Sequence, residues 1–569
     1  VTIPRSSAGR GADRGIAHAR EAFVEWQARR SLPVTELLDR LRHAHDRSGV
    51  IGDDDKRRIA AERGWPDAAV EGAASFYADL ASRRGRRHVR VCRGTSCFAA
   101  TGGRHVAQAE AALGVRCGQC EPSGSVSLDA VYCLGYCYAS PAALDGNQPV
   151  VGCDVAERLA SGPPASAAAP PVPLRVAGDR AVILAGLRGE ARPWEVWPDA
   201  VTSRSPGDIR AEVGVAGLRG RGGAEFPVAA KWQAAARYVV ANGDEGDPGS
   251  YCDRLLMEDD PHRVLEGLAL AGLATGARRG FVFVRSEYPA AVTRMGAAVI
   301  EARQAGHLGT DVHGSGVDFD VEVVAGAGSY VAGEETALLH ALAGLRGAVR
   351  PRPPYPTTWG LVGRPTVVNN VETLAAVPWI VRHGGAAYAR LGHARETGTK
   401  LVCLSERFRR PGVYEVPFGV PLRLLVDDLG GGLRDGRTLR ALQVGGPLGG
   451  FLSPDQLDLP LLAGVLADAG VALGHGSLVA VDDTVPARDL LRHLWTFAAS
   501  ESCGACTPCR VGSRRGLELA DGSSSPGWLA VQDELLDVLA VGSLCAFGRG
   551  VAGAVRSLVR VYGDELGAG

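Results

Sequence analysis

Cys503, Cys506 and Cys509 fall at C-x2-C-x2-C spacing in "ESCGACTPCRVG", and Cys545 stands apart downstream in "GSLCAFGRG". Thiolates are the soft ligands iron prefers, and four of them complete one [4Fe–4S] cluster. Zinc also accepts four thiolates, but the three-plus-one spacing favours iron–sulfur. An earlier set pairs Cys92 and Cys97 as C-x4-C with Cys133 and Cys137 as C-x3-C. That arrangement offers two thiolates to each iron of a [2Fe–2S] rhomb. Cys117 and Cys120 form a further C-x2-C that could be a redox pair, a zinc half-site or an alternative ligand pair; incidental loop cysteines is the preferred reading. Cys153, Cys252 and Cys403 are isolated and read as structural cysteines.

Two kinds of loop add to these. "GLRGRGGAEFPVAAKW" (217–232) brings four glycines, two arginines and Lys231 together. Glycines let backbone N–H groups approach an anion, although no clean strand–GxGxxG–helix unit is present. "ANGDEGDPGSYCDR" (241–254) and "GAGSYVAGEETALL" place Asn242, Asp244, Glu245, Asp247, Tyr330, Glu334 and Glu335 at the ends of apolar runs. Carboxylates and amides there suit sugar hydroxyls and ring N–H groups, while acids at a helix start also complement its dipole. Of 62 basic residues only Lys56, Lys231 and Lys400 are lysine, which draws attention to each.

The elements that must carry these residues follow from periodicity. "TELLDRLRHAHDRSGV" and "DAAVEGAASFYADLASRR" repeat apolar residues at helical spacing. "SGPPASAAAPPVP" (161–173) reads as an extended linker. Beyond it, β-branched runs alternate with helices, the pattern of a parallel α/β sheet whose ligands bind past the carboxyl ends of its strands. Residues 398–482 are rich in short strands and turns, and helical periodicity returns from 487. With 569 residues, 46% hydrophobic and net charge −1, several soluble domains are expected and general nucleic-acid binding is not. No apolar run of about 18 residues occurs and the first residues lack a signal-peptide core, so a cytoplasmic protein is expected, with metal chemistry favoured over disulfides.

Together "GLRGRGGAEFP…KW", "NGDEGDPG", "GAGSYVAGEETAL", "RPTVVNNVETL" and "ESCGACTPCR…C" resemble the NADH-binding flavoprotein subunit of respiratory complex I. Residues 35–155 resemble its thioredoxin-like [2Fe–2S] neighbour. The fusion is similar to the diaphorase subunits of soluble NAD-linked formate dehydrogenases and NAD-reducing hydrogenases. The resemblance implies an α/β multidomain protein: an N-terminal helical segment (1–85), a thioredoxin-like [2Fe–2S] domain (86–160), a linker (161–175), a Rossmann-like domain for FMN and NAD (176–397), a ubiquitin-like β-grasp domain (398–482) and a C-terminal helical bundle with [4Fe–4S] (483–569).

It implies that Gly220, Arg221, Gly222 and Lys231 hold the phosphate side of FMN. Asn242, Asp244, Glu245, Tyr330, Gly333 and Glu334 would meet its ribityl chain and ring, with Val368, Asn369, Asn370 and Thr373 closing the pocket. Phe226, Asp247, Glu335, Arg352 and Tyr355 fall at positions that contact NAD(H), Phe226 as a stacking surface for adenine. Departures from the family pattern are Glu225 at a glycine position, Cys252 at a lysine position, Asp247 for glutamate, Arg352 for lysine and Tyr355 for phenylalanine. Hydride passes directly between the two cofactors, so no general acid or base is expected. The implied partner is the molybdenum- or tungsten-pterin subunit of a formate dehydrogenase, with a nickel–iron hydrogenase as the alternative and a non-catalytic cluster-bearing scaffold as a third reading; neither nucleic acid nor membrane is expected as a partner.

Overall fold

The computed structural model describes residues 36–162, 169–178, 180–522 and 527–567. Residues 1–35 of the N-terminal segment and 163–168 of the linker lie outside the described residues. The helices Glu36–Ser48, Asp53–Arg63 and Asp67–Ala74 are amphipathic as their periodicity requires. Their apolar faces (Leu37, Leu41, Ile59, Val70) share one core with Val240, Phe281 and Phe283 of the flavin-side sheet. Tyr77 fixes this docking by donating to the carbonyl of Leu345 (2.6 Å).

The first sheet has the order β2-β3-β1-β4-β5, from β1 (Arg87–Cys92), β2 (Gln119–Cys120), β3 (Val126–Val131), β4 (Ala142–Asp145) and β5 (Gln148–Val151). β1 runs parallel to β3 and antiparallel to β4. Strand β6 (Leu174–Val176) lies inside the segment expected to be linker. It pairs instead with the third sheet, because the edge of that sheet leaves backbone groups that an extended segment can satisfy: Val413 N–H donates to Pro173 (2.9 Å) and Ala177 N–H to Glu415 (2.8 Å).

The second sheet is wholly parallel, order β10-β7-β8-β9, from β7 (Tyr238–Gly243), β8 (Arg279–Val284), β9 (Asp320–Ala325) and β10 (Thr366–Asn370). Helices Pro261–Thr275 and Val371–His383 cover it and are almost entirely buried. A short hairpin, β11 (Gly392–His393) and β12 (Glu396–Thr397), leads to the third sheet, order β16-β15-β17-β13-β14-β6. Its strands are β13 (Thr399–Leu404), β14 (Gly412–Pro417), β15 (Leu439–Val444), β16 (Gly450–Leu452) and β17 (Ser477–Asp482). Four helices follow: Ala487–Glu501, Thr507–Asp521, Trp528–Gly542 and Ala546–Leu566. Gly516 is required there, since a Cβ would fall 2.4 Å from the Trp495 ring. No helix among the described residues is long and apolar enough to cross a membrane.

Glu415 of β14 joins the second and third units. Its buried carboxylate accepts the N–H groups of Val182 and Ile183 (both 2.9 Å), of Leu184 (3.0 Å) and the Thr399 hydroxyl (2.7 Å). Glu415→Ala strands these donors, so urea unfolding should show a loss of about 3 kcal/mol or more. A loss below about 1 kcal/mol would show that the contacts carry little.

Candidate functional site

The parallel sheet places the first site. Register sets Asn369 beside Ala241 and Asn370 beside Asn242, so β10 and β7 end side by side. Asn242 donates to the carbonyl of Gly333 (2.8 Å) and accepts the Asp244 N–H (3.1 Å). Glu334 caps helix Glu335–Leu342, accepting the N–H groups of Thr336 (2.9 Å) and Ala337 (3.1 Å). Three buried polar atoms at this edge have no partner among the described residues: Asn369 Nδ2, Asp244 Oδ2 and Glu334 Oε1. Such orphans are rare in folded proteins, and a group of them at a strand-end crevice suits a ligand rich in hydroxyl and amide groups. Burial pushes the Asp244 carboxyl well above its usual range, against the opposing charge of Arg285.

The glycine loop lies beside this edge. Gly220 N–H donates to Phe226 (3.0 Å) and Arg219 bridges to Pro227, which closes the loop. Gly223 has φ +93° and passes 3.2 Å, measured from an added Cβ, from Gly474. Gly222 lies equally close to Asn370 (3.1 Å). Lys231 Nζ stands 3.0 Å from the Val368 carbonyl and 3.5 Å from Glu335. Arg221 turns inward: its Nη2 donates to Tyr388 Oη and the Thr397 carbonyl (both 2.8 Å), its guanidinium covers Phe418 (4.6 Å), and its N–H donates to Thr373 (2.8 Å). It braces the loop from beneath, while Lys231 and the loop's backbone face the crevice side. Val368 is buried beneath Lys231, and Asn370 Oδ1 caps Thr373 N–H (3.0 Å) at the start of helix Val371–His383.

Glu245 is also turned away from the crevice. Its carboxylate caps helix Cys252–Asp259, accepting from Asp253 N–H (3.1 Å), Arg254 N–H (2.9 Å) and Ser250 Oγ (2.8 Å). Asp247 is interior as well and accepts the Tyr330 hydroxyl at 2.5 Å. The remaining nucleotide positions gather at the mouth. Phe226 and Tyr355 are 52% and 56% exposed, unusual for large rings, and Arg352 donates to Glu335 (2.7 Å). Lys231 lies 5.8 Å from the Phe226 ring. Glu225 has φ +50°, a left-handed conformation that favours the glycine its position would otherwise carry. Its side chain lines a cleft of about 260 Å³ with Arg219, Arg221, Glu396 and Lys400.

At the C-terminus, all four predicted cysteines line one cavity of about 250 Å³ with Val331, Val349, Leu544 and Phe547. Cys503, Cys509 and Cys545 are buried and Cys506 is half-buried. Cys506 and Cys545 immediately precede helices Thr507–Asp521 and Ala546–Leu566, where the helix dipole favours thiolate. Burial alone pushes the Cys545 thiol up to about 12, so a bound cation is what would keep it deprotonated. In the first domain, Cys92 ends β1, Cys97 sits on helix Thr95–Thr101, and Cys133 and Cys137 lie in the loop after β3; all four are buried. Gly94 and Gly135 donate N–H groups to the sulfurs of Cys92 and Cys133 (both 3.3 Å). Cys117 packs on the separate core of Val89 and Leu128, Cys120 is half-exposed on β2, and Cys153 is exposed. Among the described residues the one group tight enough for a single ion is Glu245, Cys252, Asp253 and His475. Zinc at about 2.3 Å from each thiolate would need its sulfurs drawn as close as that, so both cysteine sets are spread for a multi-iron cluster.

Sequence reasoning missed the aromatic junction between these sites. Tyr330 meets Phe497 (5.0 Å) and Phe547 (5.6 Å), and Phe497 meets Tyr132 (5.2 Å), the neighbour of Cys133. Glu501, two residues before Cys503, accepts the Tyr330 N–H (3.0 Å). Only the aromatics' positions beside cysteines and glycines could have signalled this. The network of Asp253, Glu372, Lys400 and His475 was missed too, although scarce lysine had marked Lys400.

The chain shares 41% identity over 382 residues with the flavin-bearing family's NADH-quinone oxidoreductase protein of Salmonella typhimurium, spanning 65% of this chain and 86% of that protein. The chain belongs to that oxidoreductase family. Within it, residues 213–379 match the Nuo51 FMN-binding domain, 24–158 the thioredoxin-like [2Fe–2S] ferredoxin, and 489–569 the NADH-ubiquinone oxidoreductase-F iron–sulfur binding region. The cofactors of this family member are therefore FMN, NAD(H), one [2Fe–2S] and one [4Fe–4S] cluster, and the orphaned polar edge and both thiol sets fit them. The NADP-reducing hydrogenase subunit HndC of Solidesulfovibrio fructosivorans is 38% identical over 400 residues, 68% of this chain and 80% of that one. The crystal structure of an NAD+-reducing [NiFe]-hydrogenase in the H2-reduced state aligns with TM-score 0.84 at 30% identity, over 94% of this chain and 92% of that one.

Cys545→Ala should abolish the low-temperature electron paramagnetic signal of the [4Fe–4S] cluster while FMN and the [2Fe–2S] signal persist; retention of both cluster signals would overturn the ligand assignment. Glu225→Gly relieves the left-handed conformation and should raise stability by about 1 kcal/mol. An unchanged or lower unfolding midpoint would count against strain at this position.

Proposed function

We propose that this chain is the diaphorase subunit of an NAD-dependent formate dehydrogenase, exchanging electrons between NAD(H) and a pterin-bearing iron–sulfur partner in the cytoplasm. The family membership supports the flavin- and iron–sulfur-dependent NADH dehydrogenase part of this reading. FMN, when bound, supplies the conversion between a two-electron hydride and the single electrons a cluster accepts.

The chain's own residues do the positioning. Lys231 and the Gly220–Gly223 loop present charge and N–H groups to a phosphate. Asn369, Asp244 and Glu334 offer the unpaired polar atoms for the ribityl chain and ring. Phe226 and Tyr355 offer exposed rings for stacking a nucleotide, with Arg352 and Glu335 beside them. The observation that carries the reading is the convergence of the three sites on Tyr330, Phe497, Phe547 and Tyr132. Around half-buried Cys506, Val511 and Val541 (89% exposed) form an apolar rim on helices Thr507–Asp521 and Trp528–Gly542, suited to a partner subunit.

The formate link rests on the "NGDEGDPG" and "EYP" motifs together with the intact [2Fe–2S] cysteines. A hydrogenase link is favoured by one specific observation, the alignment over 94% of the chain with an NAD+-reducing [NiFe]-hydrogenase. Metal analysis of the native complex separates the two: molybdenum or tungsten is expected, and nickel would replace formate by hydrogen. The isolated, flavin-loaded chain should reduce a dye with NADH, and Phe226→Ala should raise KM for NADH about tenfold with FMN content unchanged. A chain that holds iron but neither flavin nor dye-reducing activity would establish the scaffold reading instead.

A further inference from the structure

The tight group of Glu245, Cys252, Asp253 and His475 is arranged as a charge network rather than as an ion site. Both Glu245 oxygens are taken by the N-terminus of helix Cys252–Asp259. Asp253 Oδ1 accepts the Glu372 N–H (2.9 Å), and Oδ2 accepts from both Asn370 Nδ2 (2.5 Å) and His475 Nε2 (2.9 Å). Glu372 is in turn paired with Lys400 and accepts the Leu401 N–H (2.9 Å). Three acids thus face one lysine, and His475 is the second cation. Burial opposes its charge, as does Lys400, but Asp253 and then Glu245 outweigh them and hold it protonated with a pKa of about 10.

His475 sits on the loop before β17, in the third sheet, and reaches across to the flavin side. Its backbone works in the same direction: the carbonyl accepts Lys400 Nζ (3.1 Å), and the N–H bonds to Asp247. Its side chain and the Asn370 amide converge on the same oxygen of Asp253, with the two nitrogens 3.0 Å apart. With Nδ2 committed there, the amide can only turn Oδ1 towards Thr373 N–H, and Asn370 is then held against Gly222 of the glycine loop.

We propose that His475 is a positioning residue for the flavin: through Asp253 it fixes Asn370, and Asn370 fixes the glycine loop that receives the phosphate side of FMN. The inference rests on the placement of Asn370 and Gly222 at that site. His475 touches no cofactor; its role is to hold the geometry of a residue that does.

The test uses the full chain, stripped of flavin and titrated with FMN by fluorescence quenching, with both cluster signals after dithionite reduction as the check on folding. His475→Ala should weaken FMN binding about tenfold, the loss expected for a charge-assisted hydrogen bond, and Asn370→Ala should do the same. The double variant should be no weaker than the poorer single within about twofold, because both act along one route. His475→Gln, which keeps a donor for Asp253, should recover about half of the logarithmic loss. FMN affinity within about twofold of the parent in His475→Ala, or losses that multiply in the double variant, would overturn the proposal. If the alanine variant loses its clusters, His475→Gln carries the test: a loss of about threefold, not added to that of Asn370→Ala, supports the route, and native affinity refutes it. Native affinity in Asn370→Ala alone would remove Asn370 from the flavin site, and the route with it.

Discussion

Three carboxylates fully shielded from water, Glu245, Asp253 and Glu372, lie beneath the carboxyl edge of the parallel sheet, and the arrangement of the domains follows from neutralising them. A buried ion without partners costs several kcal/mol, so each must be met by a donor at hydrogen-bond distance. No single element supplies all of these donors. The helix Cys252–Asp259 serves Glu245, strand β13 brings Lys400 to Glu372, and the loop before β17 brings His475 to Asp253. The flavin-side sheet and the third sheet are therefore locked together by charge at the point where the cofactor crevice opens.

That lock fixes one wall of the crevice, and aromatic packing fixes the other. Tyr330 belongs to the flavin-side unit, Phe497 and Phe547 to the C-terminal helices, and Tyr132 to the first domain. Their rings form a water-free junction that touches the loop of Cys133 on one side and the cavity of Cys545 on the other. Distances between the three sites are thus set by interior packing rather than by flexible linkers, a condition that stepwise electron exchange requires. Glu501 and Arg346 extend the same control to the backbone around Cys503, the former through Tyr330 and the latter through the Cys503 carbonyl (2.6 Å).

Much of this was legible because short motifs encode local chemistry. The cysteine spacings located both thiol sets, since ligands close in sequence must be close in space. Alternating strands and helices gave the parallel sheet and its crevice. Charges that act at long range were not legible: Arg221 and Glu245 stand within binding motifs, yet the fold turns one towards Tyr388 and the other towards a helix terminus. A side chain's direction depends on which distant element needs a partner, and spacing carries no record of that. His475 shows the converse, since a lone histidine in "LGHGS" has no local signal at all. Strand β6 escaped for a similar reason, as a three-residue strand is defined by its neighbour β14 and not by its own pattern.

The central claim is that one flavin site serves both clusters within a single rigid junction. Anaerobic NADH titration of the purified chain, followed by low-temperature electron paramagnetic resonance with and without FMN, tests it most directly. The account predicts that dithionite reveals two distinct cluster signals in either form, whereas NADH elicits cluster reduction only in the flavin-loaded chain. Cluster reduction by NADH after complete removal of FMN, or a single cluster signal under dithionite, would contradict it.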